Sequence, residues 1–266
     1  MHPGSTYSSR SDRGARSRRR ALGQHYLVDK KAVDSMIALA AIKQGERVLE
    51  IGTGTGALTR ELVRLTDMLE GYEVDRESYG LLRGELGGLS LVLHNEDVFD
   101  ASPVFDVLLS SLPYSESSRF VEWLAQRKYD RAVVLLQRDF AKKITATPGD
   151  PSYRAVSVIS QASARVEMVT DVRRQCFEPP PRVDSCVVSM TWRRTLNVGQ
   201  IAMIKRIFSQ KRRTVRAALK SLGLVEPPLA AAGDEKNIYR VNSLRPESVL
   251  AMVGVLSRKT HQEGVG

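Results

Sequence analysis

The sequence predicts an α/β protein, with a doubly wound, mainly parallel sheet followed by a small helical cap. Short apolar runs at 47–51, 68–74, 90–93, 105–109 and 131–136 alternate with helical patterns at 57–65, 76–85 and 117–127, as in successive βαβ units. A glycine-rich turn, Gly52-Thr53-Gly54-Thr55-Gly56, directly follows the first of those runs. After Arg194 the pattern is helical. A chain of 266 residues can bury one substantial core and carry a small appendage. The expected organisation is therefore a basic arm over 1–20, a main domain over 21–194 and a helical domain over 195–266.

Residues 30–42 open the folded part with helical periodicity, ahead of the first strand. Beyond the fifth run, 164–173 and 183–192 read as strands on either side of Pro179-Pro180-Pro181 and can form an antiparallel edge hairpin. A break rich in Pro, Gly and Ala lies near 223–233. The last helix is expected to open at Arg245-Pro246-Glu247, where proline costs no hydrogen bond in the first turn. No internal repeat is present in the sequence.

The glycine turn carries the first chemical signal. Gly52 and Gly54 lack Cβ atoms, so the backbone can turn sharply and pass close under a ligand. Glu73 stands 21 positions after Gly52, at the tip of the next strand, where a carboxylate can accept both ribose hydroxyls. Asp75, on the same strand face, competes with it. The G-x-G-x-G spacing differs from the dinucleotide fingerprint and lacks the Gly-Lys-Ser/Thr ending of a P-loop. S-adenosylmethionine, which has no phosphate, fits better than NAD or ATP. A tight turn in any α/β protein is the plainer reading of the loop alone.

Ser111-Leu112-Pro113-Tyr114 follows the run 105–109 and so falls at the carboxyl end of a strand, where open α/β sheets bind ligands. Its chemistry suits methylation of an exocyclic amine. Such a nitrogen delocalises its lone pair into the ring, and acceptors pulling on its hydrogens favour the nucleophilic pyramidal form. Ser111 Oγ and the Leu112 carbonyl are candidate acceptors, Pro113 fixes φ, and Tyr114 offers a ring for a flipped base. A proline-terminated strand with a buried tyrosine is the bland alternative.

Composition narrows the classes further. The two cysteines, Cys176 and Cys186, are too few for a disulfide framework, and with the scattered His2, His25, His94 and His261 they assemble no metal site. No apolar run reaches the ~20 residues of a membrane span, and no apolar signal-peptide core is evident. A soluble cytoplasmic protein is expected.

Charge is focused in two places. Residues 1–20 carry six arginines and one aspartate. Residues 201–220 carry seven basic residues, Lys205, Arg206, Lys211, Arg212, Arg213, Arg216 and Lys220, and no acidic one. These 40 residues sum to +12 against +10 for the whole chain, which leaves a near-neutral body with two cationic patches. That is the footprint of a phosphate-binding protein, although a charge run can also be a solvated face. The second patch is expected to have no acidic partners to neutralise it. The first reads as a disordered RNA-binding arm, and as a mitochondrial transit peptide only if its few apolar residues sufficed for an amphipathic helix.

Taken together, these segments resemble the ribosomal RNA adenine dimethyltransferases, which modify two adjacent adenines near the 3′ end of small-subunit rRNA. The resemblance runs over about residues 20–250. It rests on Leu22-Gly23-Gln24-His25-Tyr26-Leu27, the stretch from Leu49 to Thr59, Glu96-Asp97-Val98, Ser111-Leu112-Pro113-Tyr114, Leu136-Gln137-Arg138-Asp139-Phe140-Ala141, Phe177 to Ser185, and Lys211-Arg212-Arg213-Thr214-Val215-Arg216. It implies a Rossmann-like class I S-adenosylmethionine-dependent methyltransferase acting in ribosome biogenesis on an assembling small subunit, and a monomer is expected.

The resemblance also implies residue roles. Glu73 would hold the cofactor's ribose, Asp97 would accept from its adenine amine, and Val98 would lie beside that ring. His25 and Leu27 would line its methionine end, and Phe177 would face Tyr114 across the flipped adenine. Asp97 as a turn cap, His25 as a structural histidine and Phe177 as core packing are the competing readings. The family usually begins the tetrapeptide with asparagine, whereas this chain has Ser111. The implied mechanism is direct in-line methyl transfer to adenine N6 with no metal and no covalent enzyme intermediate. Three alternatives share parts of the pattern: a macrolide-resistance-type enzyme acting on large-subunit rRNA, a non-enzymatic assembly or transcription factor of the mitochondrial factor B type, and a small-molecule methyltransferase, which would leave both basic patches unexplained.

Overall fold

Strands and helices alternate through the first part of the fold, in a computed structural model that describes residues 25–224 and 239–262. The basic arm over 1–20, the Leu22-Gly23-Gln24 part of the first motif and most of the expected break near 223–233 lie outside the described residues.

Helix α1 (Lys30–Ala40) starts where Asp29 Oδ1 accepts from the Ala32 amide at 2.8 Å, and it buries Ala32, Val33, Met36 and Ala40 along one stripe. Strands β2 (Val48–Ile51), β3 (Leu69–Tyr72), β4 (Leu91–His94) and β5 (Val107–Ser110) fall within one or two residues of the expected runs. Between them, α2 (Thr59–Leu62) is shorter than the pattern at 57–65, and α3 (Arg76–Leu86) is capped by Asp75. Strands β2 and β5 are buried at every position, which is why they read as unbroken apolar runs.

The main sheet has the order β4-β3-β2-β5-β6-β9-β7, where β6 is Arg131–Gln137, β7 Ala164–Val172 and β9 Ser185–Trp192. The β2–β3, β2–β5 and β3–β4 pairs are parallel. The two late strands lie side by side at one end of the sheet, with β7 outermost, as expected of an edge pair. A separate two-stranded sheet, absent from the sequence reading, joins β1 (Tyr26–Leu27) to β8 (Phe177–Glu178) in antiparallel register.

Contacts divide the chain into two units. The first comprises residues 1–117, 133–138 and 170–187, and the second comprises 118–132, 139–169 and 188–266. In the first, α1, β2, β3 and β5 bury a core that includes Leu27, Met36, Leu62, Val107, Leu135 and Phe177. Burying each such side chain contributes about 1.5–3 kcal/mol.

The second unit contains α4 (Ser117–Leu124) from Ser118 onward, α5 (Arg138–Thr145) from Asp139 onward, α6 (Ala155–Ser163), α7 (Val198–Phe208), α8 (Val215–Ser221) and α9 (Pro246–Gln262). Helices α6, α7 and α9 pack on one another. The second unit thus groups helices from both sides of the expected 194/195 boundary.

Helix α6 is absent from the sequence reading because its stretch Ala155-Val156-Ser157-Val158-Ile159-Ser160 has no polar face for solvent. Ser157, Ser160 and Ser163 are buried, and their hydroxyls donate to the Lys143, Ile144 and Ile159 carbonyls. Gln161 adds bonds to the Ile144 and Ala146 carbonyls at 2.9 and 2.8 Å. Ser157, Ser160 and Gln161 thus satisfy carbonyls left over at the end of α5, a partner that local pattern cannot supply, while Ser163 bonds back within α6.

Candidate active site

Parallel register brings the site residues to one end of the sheet. Ile51 pairs with both Tyr72 and Ser110, and Tyr72 pairs with His94. The next residue along each strand, Gly52, Glu73, Asn95 and Ser111, therefore emerges at the same carboxyl-terminal edge, where ligands of such sheets bind.

Gly52 and Gly54 adopt φ of +77° and +52°, a region costly for residues with a Cβ. Space excludes a side chain as well. A Cβ on Gly52 would stand 3.2 Å from the Ser111 carbonyl oxygen, and one on Gly54 would stand 2.8 Å from Tyr26 Cδ1. The glycine loop thus lies directly against the Ser111 turn on one side and the β1 segment on the other.

Glu73 is 6% exposed and holds this loop. Its Oε2 accepts from the Gly54 amide at 2.7 Å and its Oε1 from the Asp75 amide at 2.8 Å. Burial pushes its carboxyl above the usual range, and the two amides work against that shift. Each carboxylate oxygen has a second lone pair, so the ribose role remains chemically open. Asp75 Oδ2 accepts from the Ser78 amide at 2.9 Å and the Ser78 hydroxyl at 2.8 Å, so the competing carboxylate is engaged as the α3 cap. Asp97 likewise caps the 3₁₀ turn Val98–Asp100, accepting from the Phe99 amide at 2.9 Å, while Val98 is buried.

Around the second motif, His25, Ser111, Leu112, Pro113, Tyr114, Leu135 and Phe177 line a small pocket. Tyr114 opens a 3₁₀ turn over Tyr114–Glu116, and its hydroxyl hydrogen-bonds the buried Ser185 Oγ. Burial raises the Tyr114 phenol above its ordinary value, so it is neutral at physiological pH. His25 stacks near Tyr114, with ring centroids 6.1 Å apart and planes at 29°. His25 Nδ1 donates to the Pro179 carbonyl at 2.7 Å, which fixes the proton on that nitrogen because a carbonyl only accepts.

Phe177 is 3% exposed and pairs with Leu27 across β8 and β1, so it packs in the core and lines the pocket at once. Leu27 itself is a buried core residue outside the pocket lining.

Glu50, just before the glycine loop, has no role in the sequence reading. It is 1% exposed at the end of β2, and burial, reinforced by the nearby Glu73, pushes its carboxyl up to about 8. Its place inside an otherwise apolar strand was the available signal.

The basic patch departs from expectation in one respect. Lys205 does have an acidic partner, Glu122, at 2.8 Å, contributed by α4. Glu122 lies 83 positions away, beyond any local charge count. Arg206 donates to the Leu222 carbonyl at 2.5 Å, and Lys211 Nζ to the Pro151 and Tyr153 carbonyls, both at 3.2 Å. Arg212, Arg213, Arg216 and Lys220 are exposed.

A sequence profile described as ribosomal RNA adenine dimethylase matches residues 15–257. The probable ribosomal RNA small subunit methyltransferase A of Thermococcus gammatolerans is 34% identical over 263 residues, covering 90% of this chain and 92% of its own. A dimethyladenosine transferase from Plasmodium falciparum superposes with a TM-score of 0.77 at 25% identity, covering 89% and 98% of the two chains. The 23S rRNA methyltransferase ErmE does so at 0.65 and 27%, covering 87% and 99%. With a Rossmann-like sheet, a glycine loop held by Glu73 and a match spanning nearly its whole length, the chain belongs to the ribosomal RNA adenine dimethylase family.

Proposed function

We propose that this protein is an S-adenosylmethionine-dependent enzyme that dimethylates N6 of two adjacent adenines near the 3′ end of small-subunit rRNA, acting as a monomer on an assembling particle in the cytoplasm. The observation that carries the reading is the abutment of the two motifs, with the Ser111 carbonyl 3.2 Å from where a Gly52 Cβ would stand. A donor above the glycine loop and an amine at the Ser111 turn are then adjacent. Relatives named as ribosomal RNA small subunit methyltransferase A cover most of this chain, which favours that substrate over the large-subunit alternative.

Gly52 and Gly54, at positive φ and without Cβ atoms, leave the loop backbone open to the close approach that a nucleoside needs. Glu73 would hold its ribose, Asp97 and Val98 its adenine, and His25 and Leu27 its methionine end. Bound there, S-adenosylmethionine supplies an electrophilic methyl group.

Ser111 Oγ and the Leu112 carbonyl accept hydrogens of the target amine, and Tyr114 and Phe177 hold the flipped base between their rings. Fixed orientation supplies most of the acceleration, because these groups keep the amine lone pair aligned before reaction. Lys205, Arg206, Lys211, Arg212, Arg213, Arg216 and Lys220 belong to the RNA-facing part of 195–266. Mapping N6-dimethyladenine in small-subunit rRNA from cells with and without the protein tests the reading. Unchanged modification at the 3′ end on deletion sinks it.

A further inference from the structure

Tyr26 has no role in the sequence reading, yet it touches the glycine loop and the cap of α3 at once. Pairing of β1 with β8 sets it in place, opposite Glu178. Its ring lies against Gly54, with Cδ1 2.8 Å and Cε1 3.0 Å from where a Cβ on that glycine would stand. Its hydroxyl is 3.0 Å from Ser78 Oγ.

A hydroxyl carries one proton, which gives this contact a direction. Ser78 Oγ donates its proton to Asp75 Oδ2 at 2.8 Å, so toward Tyr26 it can only accept, and the phenol is the donor. Beyond Asp75 the chain of contacts reaches Glu73. The Asp75 backbone amide donates to Glu73 Oε1 at 2.8 Å, and the Gly54 amide donates to Glu73 Oε2 at 2.7 Å. A closed ring thus runs through Tyr26, Ser78, Asp75, Glu73 and Gly54. Tyr26 braces both residues whose amides orient the Glu73 carboxylate, Gly54 with its ring and Asp75 with its hydroxyl. Ser78 and Glu73 are buried, where a hydrogen bond is electrostatically stronger than in water.

Resting on the assignment of Glu73 to the cofactor's ribose, we infer that Tyr26 is a positioning residue for that recognition: its phenol, acting through Ser78 and Asp75, fixes the turn that aims the Glu73 carboxylate. Two ribose hydroxyls stand at a fixed spacing on the sugar, so a carboxylate that meets both tolerates little rotation. Asp75, the competing carboxylate, serves the same recognition through its amide and its cap. Removing the phenol oxygen leaves the aromatic ring on Gly54 and the Ser78 amide on Asp75, and changes the aim of Glu73 alone.

The test is calorimetric. Dissociation constants are measured on the full chain for S-adenosylhomocysteine, the demethylated cofactor, and for its analogue lacking the ribose 2′-hydroxyl, with thermal unfolding of the same preparations. A variant that merely loosens the fold weakens both ligands alike, whereas a misaimed carboxylate lowers the preference for the ribose form. Natural protein is expected to favour that form about tenfold or more, the effect of one hydrogen bond to a charged group. Tyr26→Phe should reduce the preference about three- to tenfold. Ser78→Ala should do the same, and the double variant should be no worse than either single one, because both interrupt one relay. In a Glu73→Ala background, Tyr26→Phe should shift the preference by less than about twofold. An undiminished preference in Tyr26→Phe, or an effect that persists in full without Glu73, overturns the inference and leaves the ribose assignment standing. If natural protein shows no preference, or Glu73→Ala keeps it in full, the ribose assignment falls and the inference falls with it.

Discussion

The Gly54 amide donates to Glu73 Oε2 across 2.7 Å, so the carboxylate assigned to the cofactor's ribose also shapes the loop beneath it. One substitution should therefore remove a ligand contact and loosen the cradle together. Glu73→Ala is expected to weaken S-adenosylmethionine binding by at least about 10- to 150-fold, the range for a hydrogen bond to a charged group. Calorimetry returning natural affinity for this variant would dismiss the pocket.

Ser111 stands where the family usually has asparagine, and a hydroxyl still offers acceptor lone pairs to the target amine. Ser111→Ala should lower single-turnover methyl transfer roughly 5- to 150-fold with little change in cofactor affinity, whereas Ser111→Asn should keep or raise the rate. Equal rates in natural protein and Ser111→Ala would remove the hydroxyl from the mechanism.

The Tyr114 ring is held by its hydrogen bond to Ser185, a residue with no solvent exposure. Tyr114→Ala should slow transfer at least as much as Ser111→Ala, because the flipped base loses a stacking surface. Ser185→Ala should cost less, about 2- to 10-fold, since the ring stays but is less constrained. A Ser185→Ala variant slower than Tyr114→Ala would show that Ser185 acts by another route.

Glu50 sets a pH dependence with a definite sign. Its folded carboxyl titrates at about 8, above the unfolded value near 4.5, so the native state binds the extra proton. Stability then falls as pH rises between those values, because ionising Glu50 inside β2 is unfavourable. Glu50→Gln, neutral throughout, should remove this decline and leave the variant at least about 1 kcal/mol better off, relative to natural protein, at pH 8 than at pH 5. Denaturant unfolding of both proteins at the two pH values checks it, and parallel curves would mean Glu50 is ionised in the fold.

Much of this protein was legible in its residues because the relevant physics is local. Apolar runs buried on both faces marked β2 and β5, and glycines marked a loop that turns through positive φ. Chemical type at short spacing also pointed to the Ser111 turn. What those residues do beyond their neighbourhood was settled by the tertiary structure. Asp75 and Glu73 differ by two positions, yet one caps α3 and the other holds the glycine loop, because strand β3 ends between a helix and a neighbouring strand's turn. Ser157 and Ser160 are buried because α5 supplies carbonyls for their hydroxyls to bind. Lys205 found Glu122 and Lys211 turned toward the 149–153 loop for the same reason: charge counted along a chain says how much is present, and only packing distant segments together decides what it faces.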